Sequence, residues 1–199
     1  TKGGEPRLLA LADPPTDAGA LPGAREEVRQ LARHFAASRR TVLVGREASE
    51  ANGKRLGPGQ TILHFAVHGV IDDARPLDSA LLLAKGDGED GALRVSEAFG
   101  LHLGADLVVL SGCSTGLGRV TGDGVLGLAR AFLYAGTPSV VVSQWDVSDR
   151  ATAFLMDRFY AGIKAGRGKA RALRAAQLAT RARYPHPALW AAFSVIGEP

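Results

Sequence analysis

Five short stretches of this chain are apolar along nearly their whole length: "RLLALA" (7–12), "TVLVG" (41–45), "TILHFAVHG" (61–69), "DLVVLSG" (106–112) and "SVVVSQW" (139–145). A strand with one wet face alternates apolar and polar residues. A strand that stays apolar on both sides of its pleat needs cover on both faces, which is the habit of parallel sheets. "WAAFSVIG" (190–197) adds a last strand. The segments between them carry helical signals. In "GAREEVRQLARHF" (23–35), Val28, Leu31 and Phe35 share one face. "EASEANGKRL" (47–56) is a weak helix broken by Asn-Gly, Ser96 is the expected N-cap of a short one, and "GVLGLARAFLYAG" (124–136) is strong. Two more helices are expected, one from near Ser148 and one over roughly 168–183, and "SALLLA" with "ALRV" forms a hairpin across "KGDGEDG". The expectation is one α/β domain over 1–199, a three-layer α/β/α sandwich around a mainly parallel sheet of about six strands.

Composition narrows the classes. No window holds the ~18 continuous apolar residues of a membrane span, and no secretory leader is evident. The single cysteine, Cys113, rules out an intrachain disulfide framework and a multi-cysteine metal site, which favours a reducing, cytoplasmic setting. The net charge of +4 is uneven. Between Arg150 and Tyr184 nine Lys or Arg face one acid, Asp157, a local +8, so the remainder carries −4. Such a region suits nucleic acid or an acidic partner. A solvated helix face is the preferred reading, because no platform of interleaved aromatic residues is expected there.

In open α/β sheets, ligands sit beyond the carboxyl ends of the strands. Three polar loops lie there: "VHG" after the third strand, "GCSTG" after the fourth and "QWDVSD" after the fifth. A cysteine is nucleophilic as thiolate and needs a base beside it. His68 ends one strand as Cys113 ends another; neighbouring strands would put them roughly 5 Å apart, and one intervening strand roughly 10 Å. Acyl transfer builds negative charge on the former carbonyl oxygen, which the backbone N–H groups of Gly69 and Cys113 are placed to receive. A buried structural cysteine and a structural histidine remain the alternative. His64 lies about 13 Å along the strand from His68, too far to share a metal. His34, His102 and His186 lack an adjacent glycine. "TGDGVLG" contains G-x-G-x-x-G (Gly122, Gly124, Gly127) with Asp146 downstream, but nine residues separate it from Gly112, so a dinucleotide cofactor is not expected. "KGDGEDG" lacks the ligand spacing of a calcium loop.

Several longer segments carry a resemblance: "LPGAREEV", "TVLVGREAS", "ILHFAVHG", "LSGCSTGLG", "GDGVLGLARAFLYAGTPSVVVSQWDVSD" and "HPALWAAFSVIG". The sequence is similar to the CHAT domains, caspase-like cysteine peptidases often joined to tetratricopeptide repeats and related to separases and caspases. His68 and Cys113 are 45 residues apart, against roughly 50 in caspases. The resemblance implies a caspase-like fold, His68 as general base, Cys113 as nucleophile, and peptide-bond hydrolysis with no metal or organic cofactor. It places Ser111 and the "SQWDVSD" loop, with Gln144, Trp145 and Asp146, around the residue preceding the cut. Asp146 is the charged candidate there and suggests a basic residue; a turn or helix-capping acid is the equal alternative. Two residues depart from the family pattern: Gly112 where many members have Ala, and Gln144 where Leu is common. The expected partners are a protein or peptide substrate and a repeat or other regulatory module upstream in a larger protein, with neither membrane nor direct nucleic-acid contact. No residue orienting His68 is visible. The competing reading is a catalytically silent scaffold binding a protein or nucleic-acid partner.

Overall fold

The computed structural model describes residues 5–112, 122–145 and 148–199, with the backbone alone for 122–126. Cys113 and Asp146 lie outside the described residues. In chain order the elements are β1 (Leu8–Ala12), α1 (Pro22–Leu31), β2 (Arg40–Val44), α2 (Glu50–Leu56) and β3 (Ile62–Ala66). Then come β4 (Gly69–Val70), β5 (Ala80–Leu82), β6 (Ala92–Arg94), α3 (Val95–Ala98) and β7 (Leu107–Leu110). The last are α4 (Gly122–Tyr134), β8 (Ser139–Ser143), α5 (Asp149–Lys164), α6 (Lys169–Arg183) and β9 (Phe193–Gly197).

The main sheet has six strands in the order β2-β1-β3-β7-β8-β9. All pairings are parallel except β8 with β9. Its pleat sorts the apolar residues into two cores, as the near-continuous apolar strands require. Leu8, Ala10, Ile62, Leu107 and Val141 face one core with Val28 and Leu31 of α1, Phe159 and Tyr160 of α5, and Leu173 of α6. Leu9, Leu11, Leu63, Val108 and Val140 face the other with Leu128 and Phe132 of α4 and Ala98 of α3. Each fully buried large aliphatic side chain contributes about 1.5–3 kcal/mol. The three layers and the mixed, mostly parallel sheet agree with the sequence.

The differences are local. The strand expected over 61–69 leaves the main sheet after Ala66; Gly69–Val70 instead pairs with β5 in an antiparallel three-stranded sheet, β4-β5-β6. The β5–β6 hairpin forms as expected, Leu81 opposite Leu93. Ser96 is not a cap: α3 starts at Val95, and the Glu97 carboxylate accepts the N–H of Arg94 (3.0 Å). α2 runs unbroken through Asn52-Gly53. Ser49 caps it, accepting the Asn52 N–H at 3.2 Å, and Lys54 anchors it to Glu89 and Glu97 at 2.8 Å each, so tertiary contacts override the poor propensity of glycine. No helix among the described residues is long and apolar enough to cross a membrane.

Candidate functional site

The tips of β3 and β7 are direct neighbours. Their register pairs Ile62 with Leu107 and Phe65 with Leu110, an offset of 45 residues, and the N–H of Ser111 extends it by donating to Phe65 O at 2.9 Å. One step on, Gly112 lies against Val67. A Cβ on Gly112 would stand 2.3 Å from the Val67 carbonyl oxygen and 2.6 Å from its nitrogen, so only glycine allows this approach without a backbone shift. The residues immediately before the candidate thiol and the candidate base therefore touch. That contact gives a physical reason for the departure from Ala at this position.

His68 is half-buried and its Nε2 lies 3.2 Å from the carbonyl oxygen of Gly19. A carbonyl only accepts, so Nε2 carries the proton, and a neutral ring then keeps its lone pair on Nδ1. The carbonyl is set by the loop after β1. Asp13 donates its N–H to Ala66 O (3.3 Å), accepts the Leu21 N–H (2.5 Å) and pairs with Arg25, while the Gly19 N–H closes a turn onto Thr16 O (3.1 Å). Sequence reasoning names neither Gly19 nor Asp13. A backbone carbonyl leaves no residue-type signature.

Gly69 is buried opposite Leu81. The neighbouring pair, His68 and Leu82, carries the ladder hydrogen bond, Leu82 N–H to His68 O at 2.8 Å. Bonded and non-bonded pairs alternate in antiparallel strands, so the Gly69 N–H points away from β5.

A cavity of about 70 Å³ opens at these strand tips, bounded by Ser111 and Gly112 after β7, Ser143 and Trp145 at β8, Glu27 of α1, and Asp149 and Thr152 of α5. Ser111 and Trp145 are thus brought to one cavity. Gln144 is not among its lining residues; it is exposed, and its side-chain amide donates to Ser194 of β9 at 3.0 Å. Gly23 lets α1 and α5 converge at the rim, since a Cβ there would collide with the side chain of Asp149.

Below the cavity lies a buried polar chain. His64 Nε2 is 2.9 Å from Glu27 Oε1 and 3.2 Å from Ser111 Oγ, and its Nδ1 is 3.0 Å from the Tyr160 hydroxyl. An ionised Glu27 only accepts, so Nε2–H donates to it and the Tyr160 O–H donates to Nδ1. Burial, reinforced by the charge of Glu27, pushes the Tyr160 pKa well above its usual value, which keeps that donor proton in place. The signal for Glu27 was available. Ala24, Glu27, Val28 and Leu31 form one i, i+3, i+4, i+7 stripe, and a carboxylate inside an apolar stripe calls for a partner.

The alternatives raised by the sequence resolve as follows. Gly122, Gly124 and Gly127 lie within helix α4 rather than in a turn directly after a strand, which is not the dinucleotide geometry. Among the described residues one carboxylate cluster has metal-like spacing, Glu50, Glu89 and Glu97, and it surrounds the Lys54 ammonium at 2.7–2.8 Å. Burial opposes the Lys54 charge, but its three carboxylate partners outweigh that and hold its pKa above the usual lysine range. His34 pairs with Asp157 (2.9 Å), and His186 caps a short turn by accepting the Ala188 N–H. Contrary to the sequence reading, aromatic rings do meet the basic region: Arg158 and Arg183 lie over Phe154, 5.1 and 5.0 Å from its centroid, and Arg181 lies over Trp190 at 5.9 Å. These faces are taken by the protein's own guanidinium groups, so the stacks are internal.

Comparison with known proteins agrees with this architecture. The chain is 35% identical over 132 residues to tetratricopeptide repeat protein 28 of Mus musculus and 34% identical over 132 residues to the same protein of Homo sapiens, in each case over 64% of this chain. It spans about 5% of the length of those relatives. In structure it is similar to the Saccharomyces cerevisiae separase–securin complex, with a TM-score of 0.65 and 17% identity over 98% of this chain and 12% of that one. It is also similar to the Arg specific cysteine proteinase gingipain R, with a TM-score of 0.64 and 12% identity over 97% of this chain and 46% of that one. At such identities the likeness shows a shared caspase-like fold. The CHAT domain model matches residues 2–198, and the chain belongs to the CHAT domain family.

Proposed function

We propose that this domain is a cysteine endopeptidase acting through His68 and Cys113. The observation that carries the reading is the contact between Gly112 and Val67 at the tips of paired strands. The β3–β7 register joins residues 45 apart, which is also the separation of His68 and Cys113. Nδ1 of His68 takes the Cys113 thiol proton as the sulfur attacks the scissile carbonyl carbon, and the backbone N–H groups of Gly69 and Cys113 receive the oxyanion. The C–N bond breaks as His68 protonates the departing amine, leaving a thioester. Nδ1 then takes a proton from the water that hydrolyses it. The Gly19 carbonyl orients the imidazole and stabilises it when charged. Ser111 and Trp145 wall the subsite for the residue before the cut, with Asp146 and Gln144 on the same loop.

The reaction calls for no metal or organic cofactor. The partners we propose are a protein or peptide substrate and a regulatory tetratricopeptide or similar module, consistent with the repeat proteins among its relatives. The domain then acts as one unit, 1–199, within a longer cytoplasmic chain.

The test is cleavage of a substrate protein in the native assembly. Cys113→Ala is expected to abolish cleavage while leaving the thermal transition unchanged, and His68-dependent alkylation of Cys113 by iodoacetamide is expected to be fast. Equal cleavage by the Cys113→Ala protein would eliminate the proposal. Alkylation no faster than that of the denatured thiol would favour a scaffold.

A further inference from the structure

The cavity below the strand tips is furnished for a positive charge. Four polar residues there are more than nine-tenths buried: Glu27 (4% exposed), Ser111 (2%), Ser143 (1%) and Thr152 (4%). Among the described residues, the hydroxyls of Ser143 and Thr152 have no hydrogen-bond partner. Buried hydroxyls are costly to leave unpaired, and a site built to hydrogen-bond a ligand group leaves them so when the ligand is absent. Glu27 brings a carboxylate to the same space. Its nearest partner is the imidazole of His64, and Tyr160 supplies the proton that keeps that ring a donor to Glu27. Among the described residues no lysine or arginine lines the cavity, while Asp149 adds a second carboxylate at its exposed rim.

Resting on the peptidase reading above, we infer that this cavity is the specificity pocket for the residue before the cut and takes a lysine or arginine side chain, with Glu27 as its charge-determining residue. The sequence points to Asp146 for this charge; the structure offers Glu27, a helix residue distant in sequence from both site loops. Three ligand chemistries compete. A cationic head carries donors only and satisfies the carboxylate together with the waiting hydroxyl oxygens. An aliphatic head would bury Glu27, Ser143 and Thr152 without partners. An acidic head would meet Glu27 with like charge. The narrow volume, about 70 Å³, suits the end of an unbranched chain better than an aromatic ring. His64 and Tyr160 are positioning residues: they touch Glu27 or its partner and not the ligand.

The test uses the full-length protein and peptidyl acyloxymethyl ketones that differ only in the residue next to the warhead: Arg, Lys, Gln, Leu or Asp. The Arg and Lys probes are expected to alkylate Cys113 about 30-fold or more faster than the Gln and Leu probes, the low end of what leaving a buried charge unpaired costs. Glu27→Gln is expected to bring the Arg and Leu probes to similar rates, chiefly by slowing the Arg probe. Equal rates in the native protein, or an Arg preference that survives Glu27→Gln, overturns the assignment. If that variant fails to fold, Ser143→Ala and Thr152→Val replace it: each removes a pocket acceptor without touching His64, each is expected to lower the Arg-to-Leu ratio severalfold, and unchanged ratios in both overturn it.

A second arm separates the pocket from the chemistry by measuring binding of fluorescent Arg and Gln peptides to the Cys113→Ala protein. Preferential Arg binding without any alkylation of native protein leaves the pocket standing and removes the peptidase reading. Alkylation without cation preference removes the pocket and leaves the peptidase. Neither binding nor alkylation removes both.

Discussion

Glu27 in the middle of α1 and Glu50 at the start of α2 are both almost wholly buried carboxylates, one on each face of the main sheet, and they end in opposite situations. Glu50 sits with Glu89 and Glu97 around Lys54, and one of its oxygens also accepts the Gly91 N–H at 2.8 Å. The positive charge there is part of the chain, so the site is closed and serves to pin α2 to the β5–β6 hairpin and α3. Glu27 has a histidine as its partner, with hydroxyls across a cavity that have no partner among the described residues. A buried acid with a built-in cation reports structure. A buried acid whose surroundings still lack donors reports a ligand.

The sharpest break of that contrast is Lys54→Met. It leaves three carboxylates whose oxygens lie within 4.8 Å of one another and removes the ammonium shared by all three, with Arg94 still 3.5 Å from Glu97. The expected loss is about 3 kcal/mol, the low end for removing one partner of a buried pair because Lys54, Glu89 and Glu97 are partly exposed. Urea unfolding measures it. The pH dependence has a definite sign. In the native protein the pKa of Glu97 is held down: burial opposes this, but the bonds from Lys54 and Arg94 outweigh it. Its contribution is therefore present above the unfolded value of about 4.3 and is lost as pH falls through the lower folded value. In Lys54→Met the Lys54 part of that support is gone and the carboxylates repel, so acidification below about pH 5 should narrow the stability gap between variant and native protein. A gap that widens on acidification would show that the cage is not electrostatic.

What the sequence makes legible follows the same division. The strands, the two-sided cores and the tips carrying His68 and Gly69 are written in residue type and spacing: hydrophobic runs fix which segments lie inside, and glycines mark where backbones must touch. The strand seen through Gly69 stops at Ala66 because Gly112 packs on Val67 and the chain moves to β5, a long-range contact that no local pattern encodes. The Gly19 carbonyl is invisible for another reason: every residue has one, and only the loop tied down by Asp13 aims it at His68. Glu27 and His64 were each visible as a polar residue in an apolar pattern, but their pairing across 37 residues was not.

Tyr160→Phe tests the other half of the comparison. It removes the donor to His64 Nδ1 and leaves a buried acceptor unpaired, at an expected cost of about 1–2 kcal/mol. Imidazole ¹⁵N shifts provide a readout that lost packing would not move: in the native protein Nε2 should carry the proton, and in the variant the ring should sample the other tautomer. An unchanged ring would mean that the hydroxyl does not set the donor to Glu27, and the pocket acid would then be held by its own desolvated contact alone.

Thr152→Val carries the smallest effect and the most informative sign. Replacing a buried, unpaired hydroxyl with a methyl group of similar size removes a desolvation penalty without opening a void, so the substrate-free protein should gain up to about 1 kcal/mol. A residue retained for packing would lose stability on the same change. A rise in Tm together with weaker handling of Arg probes would place the hydroxyl's partner on the ligand, and a fall in Tm would place it within the protein.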